Sequence, residues 1–145
     1  MTSQYLTISV ADWTELNGNL YKMFSGNRSA EHARRLCEEN QASLPRPRDQ
    51  TENDFLASLT GLGLNSFVFL DLTDQVVEGE WRWRTDNSPV TWVNWSNNPI
   101  QPDGGTGENC AVVAPGRDDK GWLDDRCDSL HFTVCQKSEF SLGMC

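Results

Sequence analysis

Apolar positions near the start of the chain come in short bursts. Tyr5, Leu6, Ile8 and Val10 form the first and Leu20-Tyr21-Lys22-Met23-Phe24 the second, with Asn17-Gly18 between them. An Asn-Gly pair favours the left-handed backbone of a tight hairpin turn, so residues 5–25 read as short strands with a turn. The period then lengthens. Ala30, Ala33, Leu36 and Cys37 fall on one helical face, and Ser29 stands where an N-cap belongs, which predicts a helix through about Asn40. Pro45 and Pro47 break the chain. Thr51 is expected to cap a second helix, with Asp54 three residues on, an apolar stripe of Phe55, Leu56, Leu59 and Leu62, and an end at Gly61 or Gly63.

Beyond this point the period becomes two. Phe67-Val68-Phe69-Leu70 reads as a buried strand, and Trp81, Trp83, Val90 and Trp92 alternate with polar residues as half-buried strands do. Residues 94–107 break the pattern: Asn97, Asn98, Pro99, Pro102, Gly104, Gly105 and Gly107 leave almost nothing to bury. A long loop inside a compact domain is usually functional. Strands resume at Cys110-Ala111-Val112-Val113, turn at residues 117–121, and finish through Trp122-Leu123 and Phe132-Thr133-Val134-Cys135. Helices that precede most of the strands predict an α+β fold rather than a βαβ array.

The 145 residues fit one domain, and a hydrophobic fraction of 37% with 23% charged residues is that of a folded globular chain. Twelve basic against twenty-one acidic residues leave a charge of −9, which argues against nucleic acid and is compatible with binding a hard cation. No run approaches the length of a membrane span. Met1-Thr2-Ser3-Gln4 is not a signal peptide. The five cysteines, Cys37, Cys110, Cys127, Cys135 and Cys145, nevertheless favour a secreted chain whose leader has been removed. None forms a CxxC pair and only two histidines are present, so zinc is not indicated. Any four cysteines allow three pairings, and arithmetic does not choose among them. Asn27-Arg28-Ser29 and Asn94-Trp95-Ser96 are N-glycosylation sequons.

Oxygen ligands concentrate around the long loop. Gln101-Pro102-Asp103 lies within it, Glu108 closes it, and Asp124-Asp125 follows Trp122-Leu123. Ca²⁺ takes about six to eight oxygen ligands in irregular geometry. Four carboxylates brought together without a cation would repel one another. Singly, each piece is what an ordinary turn contains; their order is what points to a site.

That ordered set resembles a C-type lectin domain, and the likeness covers nearly all of the chain. Phe69-Leu70-Asp71-Leu72 is similar to the family's Trp-Ile-Gly-Leu strand and Glu78-Gly79-Glu80-Trp81-Arg82-Trp83 to its next one. Asn94-Trp95, Gln101-Pro102-Asp103, Glu108-Asn109-Cys110, Trp122-Leu123-Asp124-Asp125 and the interval from Cys127 to Cys135 follow in the family's order. The resemblance implies one domain over residues 1–145, with two helices packed on antiparallel sheets and a functional loop at about 94–109. It implies disulfides Cys37–Cys135 and Cys110–Cys127, and a Ca²⁺ site on Gln101, Asp103, Glu108, Asp124 and Asp125 that also binds sugar. Pro102 would be a cis proline aiming its neighbours at the metal. Two vicinal sugar hydroxyls would complete the shell, and Gln-Pro-Asp is associated in this family with galactose or N-acetylgalactosamine. Cys145, left over, suggests either an interchain bond, and with it a homodimer, or a cloning remnant. Val10 and Leu20 stand where the long form of the family has an extra disulfide.

The chain departs from the pattern at Asp124, where the family usually has Asn. The added charge should strengthen Ca²⁺ binding while removing an amide donor, so an altered sugar preference is expected. Residues 103–108 contain no aromatic to stack on a sugar, and Trp95 and Trp122 are expected in the core. Asp74 and Glu78 have the spacing for an accessory Ca²⁺, although Gly104 and Asn109 stand where two further carboxylates are expected. His131 reads as structural. The resemblance implies a binding protein rather than an enzyme; a domain of the same fold that binds a protein partner, or ice, is the alternative.

Overall fold

The structure, a computed structural model, describes residues 12–96 and 109–138. Gln101, Pro102, Asp103, Glu108, Val10 and Cys145 lie outside the described residues. Strands β1 (Thr14–Leu16) and β2 (Asn19–Arg28) form the expected hairpin, with Asn17 and Gly18 both at positive φ of 54° and 84°. This is the backbone that an Asn-Gly turn supplies at low cost. Helix α1 (Ala30–Glu39) starts at Ser29, whose hydroxyl accepts from the His32 N–H, and buries Ala30, Ala33 and Cys37.

Helix α2 (Gln50–Thr60) begins two residues earlier than the sequence pattern predicts. Asp49, not Thr51, is the cap, and its carboxylate accepts from the Glu52 N–H at 2.9 Å. Glu52 then reaches back to the Arg48 N–H, so two donors at the helix start are satisfied. Gly61, at φ 62°, ends the helix in the left-handed conformation that glycine adopts without a Cβ clash.

Strands β3 (Val68–Thr73), β4 (Arg82–Trp83), β5 (Cys110–Val113), β6 (Trp122–Asp125) and β7 (His131–Ser138) join the hairpin in one sheet of order β1-β2-β7-β3-β5-β6, with β4 on β3. Among the described strands the pairings are antiparallel except β3 with β7, which are parallel, so the sheet is mixed rather than purely antiparallel. The expected alternating strands from Trp81 to Trp92 shrink to the two residues of β4. The other tryptophans there pack as an aromatic cluster instead of pairing along a ladder.

The two faces of the sheet carry separate cores. Val68, Leu70, Leu72, Ala111, Val113, Trp122 and Val134 pack with Leu56 of α2. Phe69, Cys110, Val112 and Cys135 pack with Ala30, Ala33 and Cys37 of α1. This two-residue alternation, read out by one helix on each face, is the physical content of the α+β prediction. Both expected disulfides are present, Cys37–Cys135 tying α1 to β7 and Cys110–Cys127 tying β5 to the segment after β6. On the chain-entropy model, closing loops of these lengths stabilises the fold by about 3–5 kcal/mol each.

Candidate functional site

The long loop leaves and re-enters the sheet at two clamped roots. At its start, the Ser96 N–H donates to the Trp122 carbonyl and the Trp122 N–H to the Asn94 carbonyl, at 2.9 and 2.8 Å. The Asn94 amide donates to the carbonyls of Asp119 and Lys120 at 3.2 and 3.0 Å. Gly121 permits this approach: a Cβ there would stand 2.9 Å from the Ser96 Cβ. Beneath the root, Trp122 is ringed by Trp83, Trp92 and Trp95 with ring centroids 6.3, 5.6 and 5.9 Å away. Its indole N–H donates to the buried Asn53 at 2.7 Å. Trp122 is thus a buried core residue, as expected, and Trp95 packs half-buried against it.

At the other root the Asn109 carbonyl accepts from the Thr73 hydroxyl at 2.7 Å and from the Asp74 N–H at 3.3 Å. This joins the end of β3 to the start of β5. Asp74 is only 2% exposed, and one of its carboxylate oxygens accepts from the Gly79 N–H at 2.9 Å. Its other oxygen, Oδ1, and the side-chain oxygen of Asn109 are buried with no hydrogen-bond partner among the described residues. Buried acceptors are nearly always satisfied, so two orphans together call for an explanation, of which an ion is one. Glu78 is held above the ordinary carboxylate range, first by desolvation, then by the charge of Asp74, a hydrogen bond with it, and the charge of Asp124.

Asp124 and Asp125 diverge. In the β5–β6 register Ala111 faces Asp124 and Cys110 faces Asp125, and cross-strand partners share a face of the sheet. Asp124, 6% exposed, therefore lies on the Trp122 face, and its charge reaches Glu78. Asp125 lies on the opposite face, where its carboxylate meets His131 Nε2 at 2.6 Å and accepts from the Arg126 N–H at 2.7 Å and the Ser129 hydroxyl at 3.4 Å. The structure thus draws Asp74, Glu78 and Asp124 into one electrostatic neighbourhood and leaves Asp125 out of it. Among the described residues, no three acidic, histidine or cysteine side chains converge closely enough to hold a metal ion by themselves.

Asn109 is the residue that sequence reasoning undervalued. It stands where a carboxylate was expected, yet its side-chain oxygen lies buried and, like that of Asp74, has no partner among the described residues. Its place immediately before the buried strand Cys110-Ala111-Val112-Val113 was the available signal.

The sequence model of the lectin C-type domain matches residues 26–137. The chain belongs to the C-type lectin domain family. This lectin domain is 31% identical over 129 residues to gorilla C-type lectin domain family 4 member M, covering 87% of this chain and 32% of that protein. It thus spans about a third of the length of the curated relatives it matches. Among solved structures it is similar to the cow carbohydrate-recognition domain of CD23, studied in the presence of a GlcNAc2Man3 oligosaccharide, at 29% identity and a TM-score of 0.75 over 88% of this chain and 93% of that one. It is also similar to the herring type II antifreeze protein, at 25% identity and a TM-score of 0.77 over 88% of this chain and 96% of that one. No helix among the described residues of the lectin domain is long and apolar enough to cross a membrane.

Proposed function

We propose that this domain is a secreted, non-enzymatic lectin that binds galactose-type sugars through Ca²⁺ held by Gln101, Asp103, Glu108 and Asp124. Asp125, the fifth residue of the expected set, holds His131 instead. The observation that carries the reading is the oxygen-rich root of the loop. Asp74 and Asn109 each present a buried oxygen without a hydrogen-bond partner among the described residues, and Glu78 is disfavoured as an anion first by desolvation and then by the charges beside it. Such an arrangement is stabilised by a hard cation, for which carboxylate and amide oxygens are the preferred donors. The residues therefore fit the ion. When bound, Ca²⁺ would supply positive charge and open positions for two vicinal hydroxyls. The chain's part is to fix Asp124 on a strand, clamp the loop at both roots, and offer acceptors that order the sugar hydroxyls. Asp74, Glu78 and Asn109 would serve an accessory ion.

Gln101-Pro102-Asp103 supports galactose or N-acetylgalactosamine rather than mannose, since the amide's position decides which hydroxyl receives a donor. A glycan array probed with Ca²⁺ and again with a chelator tests the function. Binding to terminal galactose-type sugars that disappears with chelator is the expected result; binding under neither condition overturns it.

A second reading has its own support. Val76 and Val77, between Asp74 and Glu78, are 75% and 47% exposed. An apolar tip beside the site, together with the likeness to a type II antifreeze protein, favours a protein or ice surface as the ligand. Array silence combined with thermal hysteresis, or with capture of a defined protein, would select that reading.

A further inference from the structure

The sequence holds two N-glycosylation sequons, and the fold treats them in opposite ways. Asn94-Trp95-Ser96 is structural. The Asn94 side-chain amide donates to two carbonyls, those of Asp119 and Lys120, at the clamped root of the loop. Ser96 is 1% exposed, and its hydroxyl donates to Asp119 Oδ2 at 3.2 Å. A sugar on the Asn94 nitrogen would replace one of its hydrogens and push against residues 119–121, where even a Cβ on Gly121 crowds Ser96.

Asn27-Arg28-Ser29 sits differently. The register of β2 against β7 shifts between Phe24 and Asn27, and Gly26 carries φ +96° in that bulge. Bulges re-aim the side chains beside them. Asn27 is exposed, and its side chain has no hydrogen-bond partner among the described residues. Its neighbours hold the backbone in place: the Arg28 guanidinium donates to the Thr133 hydroxyl at 3.2 Å, and Ser29 caps α1. The tripeptide is therefore anchored by the residues that flank the acceptor, while the acceptor amide is free.

We propose that the folded, secreted chain carries one N-linked oligosaccharide, on Asn27 and not on Asn94. The co-substrate is a lipid-pyrophosphate-linked oligosaccharide presented by a membrane-bound transferase. The Asn27 amide nitrogen forms a bond to C1 of the first sugar. The bond from C1 to the pyrophosphate oxygen breaks, the lipid pyrophosphate leaves with the electron pair, and the amide proton passes to a base of the transferase. Attachment precedes folding, so the discrimination acts on the product. A chain modified at Asn94 loses the loop-root hydrogen bonds and fails to reach the folded pool, whereas one modified at Asn27 folds unhindered. The proposal does not depend on what the lectin binds.

The test is to direct the full chain through the secretory pathway of a eukaryotic host and map glycopeptides of the folded product by mass spectrometry. Endoglycosidase should remove a single oligosaccharide, and amidase release should leave aspartate at position 27 with unmodified Asn94. Asn27→Gln should abolish the oligosaccharide while leaving cooperative unfolding intact. Oligosaccharide on Asn94 of folded protein, or an unmodified Asn27, overturns the proposal.

Discussion

At the scale of single residues, Asp71 is a buried charge in the middle of β3, on the face that packs against α1. Burial raises its carboxyl to about 6, against which hydrogen bonds from Thr85 and the Arg46 charge pull only partly. A carboxyl raised in the folded state above its unfolded value of 3.8 costs stability wherever it is ionised. The cost is full above pH 6 and fades as pH falls towards 4. Asp71→Asn keeps an acceptor for the Thr85 N–H and removes the charge. It is expected to stabilise the domain at pH 7 by up to about 3 kcal/mol, with the gain vanishing near pH 4. Urea unfolding of both proteins at the two pH values checks this. Asp124 and Asp125 make a second contrast, since adjacent carboxylates serve opposite faces. Asp124→Asn should weaken Ca²⁺ binding on the order of tenfold. Asp125→Asn should do the reverse, leaving Ca²⁺ affinity near wild type and destabilising by about 1–2 kcal/mol through the weakened His131 contact. Calorimetric Ca²⁺ titration and chemical denaturation of the two variants separate the roles.

Among the elements, the roots of the long loop depend on close backbone approach as much as on side chains. Gly121→Ala places a methyl 2.9 Å from the Ser96 Cβ and about 3.0 Å from its Cα, so the 94–96 segment has to move. A loss of about 1–3 kcal/mol is expected, with weaker Ca²⁺ binding, measured by denaturation and titration of the same variant. What could be read in advance at this scale follows the strength of local signals. The Asn17-Gly18 turn, the Ser29 cap and the apolar face of α1 are set by residues next to one another, and all appear where the pattern puts them. The start of α2 was misplaced because Thr51 and Asp49 are both competent caps. The choice fell to Asp49 through the Arg48–Glu52 contact, which spacing alone does not reveal. The Trp81–Trp92 stretch looked like strand because alternation is shared by ladders and by aromatic clusters; partners elsewhere in the chain decide between them. The opposed directions of Asp124 and Asp125 were implicit in strand alternation, but only the register against Cys110 and Ala111 makes them visible.

For the whole molecule, a mixed sheet with one helix on each face provides the rigid frame, and two disulfides close it, one at Cys110 just after the loop and one between α1 and β7. A net charge of −9 adds a field that favours cations over anions near the acidic root, and it falls with salt. Ca²⁺ that binds only the folded state stabilises it by mass action, about 2.7 kcal/mol at a hundredfold excess over Kd. Acid opposes this, because the ligand carboxylates must be ionised, and Glu78 is already held above the ordinary carboxylate range. The most direct test is a calorimetric titration of Ca²⁺ into metal-free protein at neutral pH, repeated after addition of galactose. Saturable Ca²⁺ binding that tightens in the presence of the sugar is what the account predicts. Absence of Ca²⁺ binding, or Ca²⁺ binding that galactose leaves unchanged, would contradict it.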